Sequence, residues 1–285
     1  MTVAFLNGEY LPLSEAKISP MDRGFLFGDG IYEVIPAYHG HFVGFSAHMR
    51  RMRDGLAALQ ITDPYQEHAW RDLCQELLAR NDGDDFGLYL QVSRGPAAQR
   101  QHRYPEQVTP TVFAYVFPIA QPGAGDPAAV KCWSVASVAD RRWQRCQIKS
   151  VALLGNVMHL MEGVAVDAEE VLLFNDRDEL TEAAACNVFI VQGDHVFTPA
   201  LDHQKLPGVT RALLLDMMHQ SGDWTVSETI VTRAMVDAAD EIWLTSSTKE
   251  VAPVTQRDGH PVGGGLPGPM WSRAQQMFAR HRFDY

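Results

Sequence analysis

Arg145-Cys146-Gln147-Ile148-Lys149-Ser150-Val151-Ala152-Leu153-Leu154-Gly155-Asn156 is the stretch on which the fold turns. It sets one lysine, Lys149, among apolar residues just ahead of a run that reads as a helix over 151–166. Lysine is rarely buried unless it is paired, and burial lowers its pKa toward the nucleophilic range. Two readings are open on these residues. The stem can snorkel from a helix start, or the amine can form a Schiff base with an aldehyde cofactor. Only five lysines, Lys17, Lys131, Lys149, Lys205 and Lys249, stand among the 24 basic residues, so few amines compete for the second role.

The rest of the composition narrows the class. The 285 residues carry 46% hydrophobic and 21% charged side chains and a formal net charge of −11. A chain of this length buries a large core without disulfides or metals. Its acidity argues against nonspecific binding to nucleic acid or anionic membranes. The longest apolar run, Val112 to Ala120 and broken by Pro118, is far short of a membrane span. Residues Met1 to Phe5 do not read as a signal peptide. Cys74, Cys132, Cys146 and Cys186 lie far apart, which suits reduced, mostly buried thiols in the cytoplasm better than a disulfide frame or a zinc site.

Along the chain, Val3–Leu6 and Glu9–Leu13 flank Asn7-Gly8 as a hairpin. A strand over Ile31–Tyr38 turns at His39-Gly40 and returns through His41 to Phe45. Ser46 is placed to cap a helix that carries Met49, Met52, Leu56 and Leu59 on one face. A helix over 65–80 and strands near 86–93 and 111–117 complete a first domain, 1–119. The Pro- and Gly-rich segment 120–130 reads as a linker. Beyond it, over 131–285, come strands near 130–138, 169–175, 186–192 and 241–246. Helices are expected over 151–166 and 209–220 and from about 269. The class is mixed α/β (α+β) in two halves.

Three more motifs bear on chemistry. Gly28-Asp29-Gly30-Ile31-Tyr32-Glu33 has two glycines of a dinucleotide fingerprint, but Glu33 replaces the third and a strand follows, so that reading fails. Glu182, in Leu180-Thr181-Glu182-Ala183-Ala184-Ala185-Cys186-Asn187, is either a solvated turn residue or a carboxylate facing a pyridinium nitrogen. Leu206-Pro207-Gly208-Val209-Thr210-Arg211 opens an apolar helix whose first amides make a ready phosphate site, though most helix starts bind nothing. No P-loop, G-x-S-x-G elbow or H-E-x-x-H pattern occurs, and no metal site is expected.

Taken together and in this order, these segments make the chain resemble the class IV, fold-type IV pyridoxal-phosphate aminotransferases, and within them the D-amino acid transaminases. The resemblance runs from Asn7-Gly8-Glu9 through Asp22-Arg23-Gly24-Phe25-Leu26-Phe27-Gly28-Asp29-Gly30-Ile31-Tyr32-Glu33-Val34 to Thr245-Ser246-Ser247-Thr248-Lys249-Glu250. It implies pyridoxal 5'-phosphate in a cleft between the two domains, with Lys149 as the Schiff-base lysine and proton shuttle. It implies Glu182 at the pyridine nitrogen, and Arg51, Val209, Thr210 and Ser247 at the phosphate. It implies Tyr32 at the substrate carboxylate, with Arg100 and His102 supplied by the partner subunit of a homodimer. The expected reaction is ping-pong transamination between a D-amino acid, such as D-alanine or D-glutamate, and a 2-oxo acid. An L-branched-chain aminotransferase, an aminodeoxychorismate lyase and a non-enzymatic cofactor binder are the alternatives. One departure stands out: Ala183-Ala184-Ala185-Cys186 occupies positions where the family usually carries small hydroxyl residues.

Overall fold

The computed structural model describes residues 2–285, and they divide into two compact units. The first runs to Gln121 and takes in Ile148–Leu153; the second comprises Pro122–Gln147 and Leu154–Tyr285. The Lys149 segment therefore belongs to the first unit, separated in sequence from everything else in it.

The first unit is built on β1 (Val3–Leu6), β2 (Glu9–Pro12), α1 (Arg23–Phe27), β3 (Gly30–Tyr38) and β4 (His41–Phe42), followed by α2 (Phe45–Ala58), α3 (Glu67–Ala79), β5 (Asp85–Ser93) and β6 (Thr111–Pro118). Its six strands form one antiparallel sheet in the order β2-β1-β6-β5-β3-β4. Ile31 and Ile35 of β3, Leu88 and Leu90 of β5, and Met49, Met52 and Leu56 of α2 share a core with Trp70, Cys74 and Leu77 of α3. The helical spacing of the α2 residues is what points them to one side, and Leu59 packs on the same core from its edge. The cap of α2 differs from expectation. Gly44, in the left-handed conformation at φ 63°, takes the N-cap position, and Ser46 lies inside the first turn, where its hydroxyl donates to Glu67 Oε1 at 2.8 Å.

The second unit contains β7 (Trp133–Ala139), α4 (Leu154–Val164), β8 (Glu170–Phe174), β9 (Leu180–Ala183), β10 (Asn187–Gln192), β11 (His195–Pro199), α5 (Val209–Ser221) and β12 (Thr225–Thr229). It continues with α6 (Arg233–Asp237), β13 (Glu241–Ser246), β14 (Glu250–Arg257), β15 (His260–Pro261) and α7 (Pro269–His281). Its sheet runs β12-β11-β10-β13-β14-β7-β8-β9, with β15 on β14, and mixes parallel with antiparallel pairs. Val135, Leu172, Val188, Ile190, Ile242 and Leu244 anchor the core of this sheet.

Two differences from the sequence reading have clear causes. The helix expected from 151 begins at Leu154, because the backbone of Lys149 and Val151 is already hydrogen-bonded to β3. Strand β14 escaped notice because it contains Pro253, yet it lies inside the sheet between β13 and β7.

Candidate active site

In the first unit the Lys149 segment is laid along the start of β3 through an isolated antiparallel bridge, Ile31 to Ser150. The Tyr32 amide donates to Lys149 O at 3.1 Å, and the Val151 amide donates to Gly30 O at 3.0 Å. Gly28 makes the approach possible: at φ 67° it closes α1, and a Cβ there would fall 2.8 Å from Ala152 Cβ. The clasp leaves Lys149 half-buried, with Nζ 4.2 Å from the centroid of the Tyr32 ring. Tyr32 in turn stacks on Tyr89 of the neighbouring strand, centroids 5.7 Å apart. Thus Lys149 and Tyr32, expected at one site, are brought together by backbone pairing.

Arg51 is anchored by a residue that sequence reasoning passed over. Glu33, fully buried, accepts from Arg51 Nε at 2.8 Å and Nη2 at 2.6 Å, and shares 2.7 Å with His48 Nδ1. Burial alone would push the Glu33 carboxyl up, but the Arg51 fork and His48 outweigh it and hold it at about 2. For His48, burial is the largest influence and pushes the imidazole down. Glu33 opposes this, while the cations of Arg51 and Lys149 reinforce it. The Glu33 oxygens fix the plane of the Arg51 guanidinium as a bidentate pair does. Arg50, its neighbour in sequence, is exposed. The available signal was the alternation of β3, which turns Glu33 inward with Ile31 and Ile35.

The loop carrying Arg100 and His102 lies between β5 and β6. The Arg100 guanidinium stands 5.1 Å from the centroid of Phe27, and the His102 ring meets the same phenyl edge-on at 5.5 Å.

In the second unit, Glu182 sits on β9 and is 4% exposed. Its Oε1 accepts from Arg142 Nη1 at 2.5 Å; its Oε2 accepts from the Leu206 amide at 2.9 Å and from Asn187 Nδ2 at 3.2 Å. Burial dominates and raises the carboxyl above its ordinary value despite these donors. Arg142 is divided between two carboxylates, because Asp140 takes its Nε at 3.0 Å and Nη2 at 2.8 Å. Thr181 Oγ1 completes the group by donating to Asp140 Oδ2 at 2.7 Å. Neither Arg142 nor Asn187 was foreseen: Arg142 lies 40 residues from Glu182, and Asn187, only five residues on, reaches it because the chain turns back between β9 and β10.

Asn187 also ties Glu182 to the start of α5. Its Nδ2 donates to Leu206 O at 2.9 Å, and a Cβ at Gly208 would fall 1.9 Å from its Oδ1, so glycine is required there. Gly208 is the N-cap of α5 and brings no side chain to cover the first-turn amides of Val209 and Thr210. Ser247 lies half-buried in the turn between β13 and β14. Thr245 pairs directly with Asn187 across β10 and β13, and its buried Oγ1 has no partner among the described residues. A buried carboxylate, a helix start without a side-chain cap and an unsatisfied hydroxyl thus share one neighbourhood. These are the donor and acceptor types that a phosphorylated pyridine would satisfy.

Residues 30–256 match the Amino-transferase class IV family. The D-alanine aminotransferase of Bacillus licheniformis is 37% identical over 275 residues, covering 96% of this chain and 95% of that one. That of Staphylococcus haemolyticus is 33% identical over 282 residues, covering 99% and 98%. Among solved structures, the branched-chain amino acid aminotransferase from Escherichia coli has a TM-score of 0.86 at 21% identity, covering 98% of this chain and 93% of that one. The branched-chain aminotransferase of Thermoproteus uzoniensis with norvaline has a TM-score of 0.88 at 20% identity, covering 100% and 96%. At such identities the structural likeness speaks for the fold, which is mixed α+β of fold type IV. The family match spans most of the chain and the curated relatives exceed 30% identity along it: this chain belongs to the class IV amino-transferases.

Proposed function

We propose that the protein is a pyridoxal-5'-phosphate-dependent D-amino acid transaminase that moves an amino group between a D-amino acid and a 2-oxo acid. The observation that carries the chemistry is the clasp that sets Lys149 half-buried against Tyr32, in the same unit as an Arg51 fixed by Glu33. The D preference is supported by the curated relatives, both D-alanine aminotransferases, and by the Arg100-Gln101-His102 loop.

Pyridoxal phosphate, when bound, supplies an aldehyde for the Lys149 amine and a pyridine ring that accepts an electron pair. Lys149 Nζ takes the proton from the substrate Cα and returns it. Glu182, held by Arg142, Asn187 and the Leu206 amide, presents a carboxylate whose raised pKa suits it to share a proton with a ring nitrogen. Arg51, Ser247 and the first-turn amides of Val209 and Thr210 are the phosphate donors in this reading. Tyr32, Arg100 and His102 are the carboxylate donors, the last two serving the partner subunit of a homodimer.

Self-association has independent support in α4, which leaves Leu154, Val157, Met158 and Met161 exposed at helical spacing. The free thiols of Cys74, Cys146 and Cys186 suit a reducing cytoplasm. Among the described residues no helix is long and apolar enough to cross a membrane.

A half-reaction screen tests the proposal. The cofactor-loaded protein, mixed with paired D- and L-amino acids, should lose its visible absorbance far faster with D-alanine and D-glutamate than with their L forms, and regain it with a 2-oxo acid. Faster reaction with L-leucine or L-valine than with every D-amino acid would replace this reading by the branched-chain one. A spectrum that no donor changes would make the protein a binder.

A further inference from the structure

The motif Asp22-Arg23-Gly24-Phe25-Leu26-Phe27-Gly28-Asp29 has no part in the chemistry above, yet its charged side chains, Asp22, Arg23 and Asp29, are each held by several hydrogen bonds in the first unit. Asp29 Oδ2 accepts from Arg23 Nε at 2.8 Å and from Arg94 Nε at 2.7 Å, and Arg94 Nη2 reaches Oδ1 at 3.0 Å. All three side chains are less than a tenth exposed. Two guanidinium groups thus share one carboxylate, and their remaining donors go to backbone carbonyls. Those of Arg94 reach Leu59 O at 2.6 Å and Gln60 O at 3.1 Å, which fixes the pair to the end of α2. Those of Arg23 reach into the exposed loop between β5 and β6, where Nη1 donates to Gln101 O at 2.6 Å and Nη2 to His102 O at 3.4 Å.

Aromatic contacts hold the same loop from two sides. Tyr104 lies over the Arg94 guanidinium at 3.6 Å, and the Phe27 ring receives Arg23 at 4.8 Å, Arg100 at 5.1 Å and the edge of His102 at 5.5 Å. Asp22 fixes the base of the arrangement. It caps α1 through the Gly24 amide at 2.8 Å and accepts from Ser93 and Thr111, the last residue of β5 and the first of β6. Residues 100–104 belong to no strand or helix, so anchors of this kind must come from side chains.

We propose that Arg23, backed by the Asp29–Arg94 pair, together with Phe27, is a positioning device that presents Arg100 and His102 and so sets how tightly a substrate carboxylate is held. The inference rests on the transaminase reading for the carboxylate, but the anchoring stands on its own contacts. Arg23 is suited to this because its planar fork spends one edge on Asp29 and another on two consecutive carbonyls, which an ammonium cannot do. Phe27 is suited because one ring serves three partners at once.

Phe27→Leu and Arg23→Lys test the device, with Phe27→Tyr as the variant that keeps the ring. Trypsin should cut after Arg100 and Arg103 several-fold faster in the first two, while Phe27→Tyr stays close to the parent. KM for D-alanine and for the 2-oxo acid should rise about three- to tenfold, with kcat and the cofactor absorbance changed much less. Should Arg23→Lys fail to fold, Phe27→Leu decides the matter. Unchanged cleavage and unchanged KM in a folded Phe27→Leu protein would overturn the proposal. A parent enzyme that transaminates no donor would instead overturn the functional reading, and with it the carboxylate role, while the cleavage rates would still judge the anchoring.

Discussion

Glu33 and Glu182 are two buried glutamates with opposite fates. Glu33, in the first unit, is held down to about 2; Glu182, in the second, is raised above its ordinary value. Burial works on both in the same direction and is the largest influence on each. The partners make the difference. Glu33 has the Arg51 fork, through Nε and Nη2, and a histidine besides. Glu182 has a single Arg142 nitrogen, because Asp140 takes the other edge of that guanidinium and adds its own negative charge nearby. One carboxylate is neutralised within the protein, and the other is left with an appetite for a further proton or cation. In the proposed function Glu33 orients Arg51, and Glu182 meets the cofactor.

The strongest way to break this contrast is to remove the amine that stands beside the first cluster. Lys149→Ala should lower transamination by more than about 10³-fold, since in the proposed function the tether and the proton carrier disappear together. It should also raise the pKa of His48, as one of the cations that press it down is lost, and NMR titration of the imidazole would read that shift. An active Lys149→Ala enzyme would sink the lysine assignment.

Glu182→Gln should lower kcat by roughly 10²-fold while cofactor still binds, because in the proposed function only the charge directed at the ring is lost. Without cofactor the same variant should be at least as stable at neutral pH as the parent. A carboxylate whose folded pKa is raised binds more protons folded than unfolded, so it costs stability as pH climbs above the ordinary carboxylate value. Unaltered kcat would count against the cofactor contact.

Glu33→Gln should do the reverse, destabilising the protein by about 3 kcal/mol at pH 7, because it removes the buried carboxylate that pairs with the largely enclosed Arg51 fork. The parent's dependence on pH follows the same logic. The depressed Glu33 pKa contributes stability that is complete above about 4.5 and disappears as pH falls toward 2. The lowered His48 pKa withdraws stability earlier, as pH drops below 6.5, because the unfolded imidazole takes a proton that the folded one refuses. Urea titrations between pH 7 and pH 3 should show both slopes in the parent and only the histidine slope in Glu33→Gln.

The smallest effect sharpens the explanation itself. Asp140→Asn releases half of Arg142 and removes a neighbouring negative charge, so the Glu182 pKa should fall. The acid limb of the kcat/KM–pH profile should move to lower pH, with turnover at pH 8 changed less than about tenfold. An acid limb that stays in place would mean that the shared arginine does not govern Glu182.

Much of this was readable in the chain. Asn7-Gly8 gave away the β1–β2 hairpin through its positive φ values, and the spacing of Met49, Met52 and Leu56 gave away the buried side of α2. Other parts were not. Helix α1 is five residues long, too short for periodicity, and α4 starts three residues after its expected point because β3 claims the preceding backbone. Gly44 displaced Ser46 as a cap because the chain must turn left-handed to leave β4, which a side-chain signal does not reveal.

By itself the sequence determined which chemistries were available: a scarce lysine in apolar surroundings, a lone glutamate entering a buried strand, a glycine-led helix start, and the order in which they come. Only the tertiary structure decided who pairs with whom. Arg142 meets Glu182 across 40 residues, Arg51 meets Glu33 across 18, and Arg94 meets Asp29 across 65. Charge attracts by distance and by the dielectric between the groups, and neither exists until strands and helices have packed water away from them.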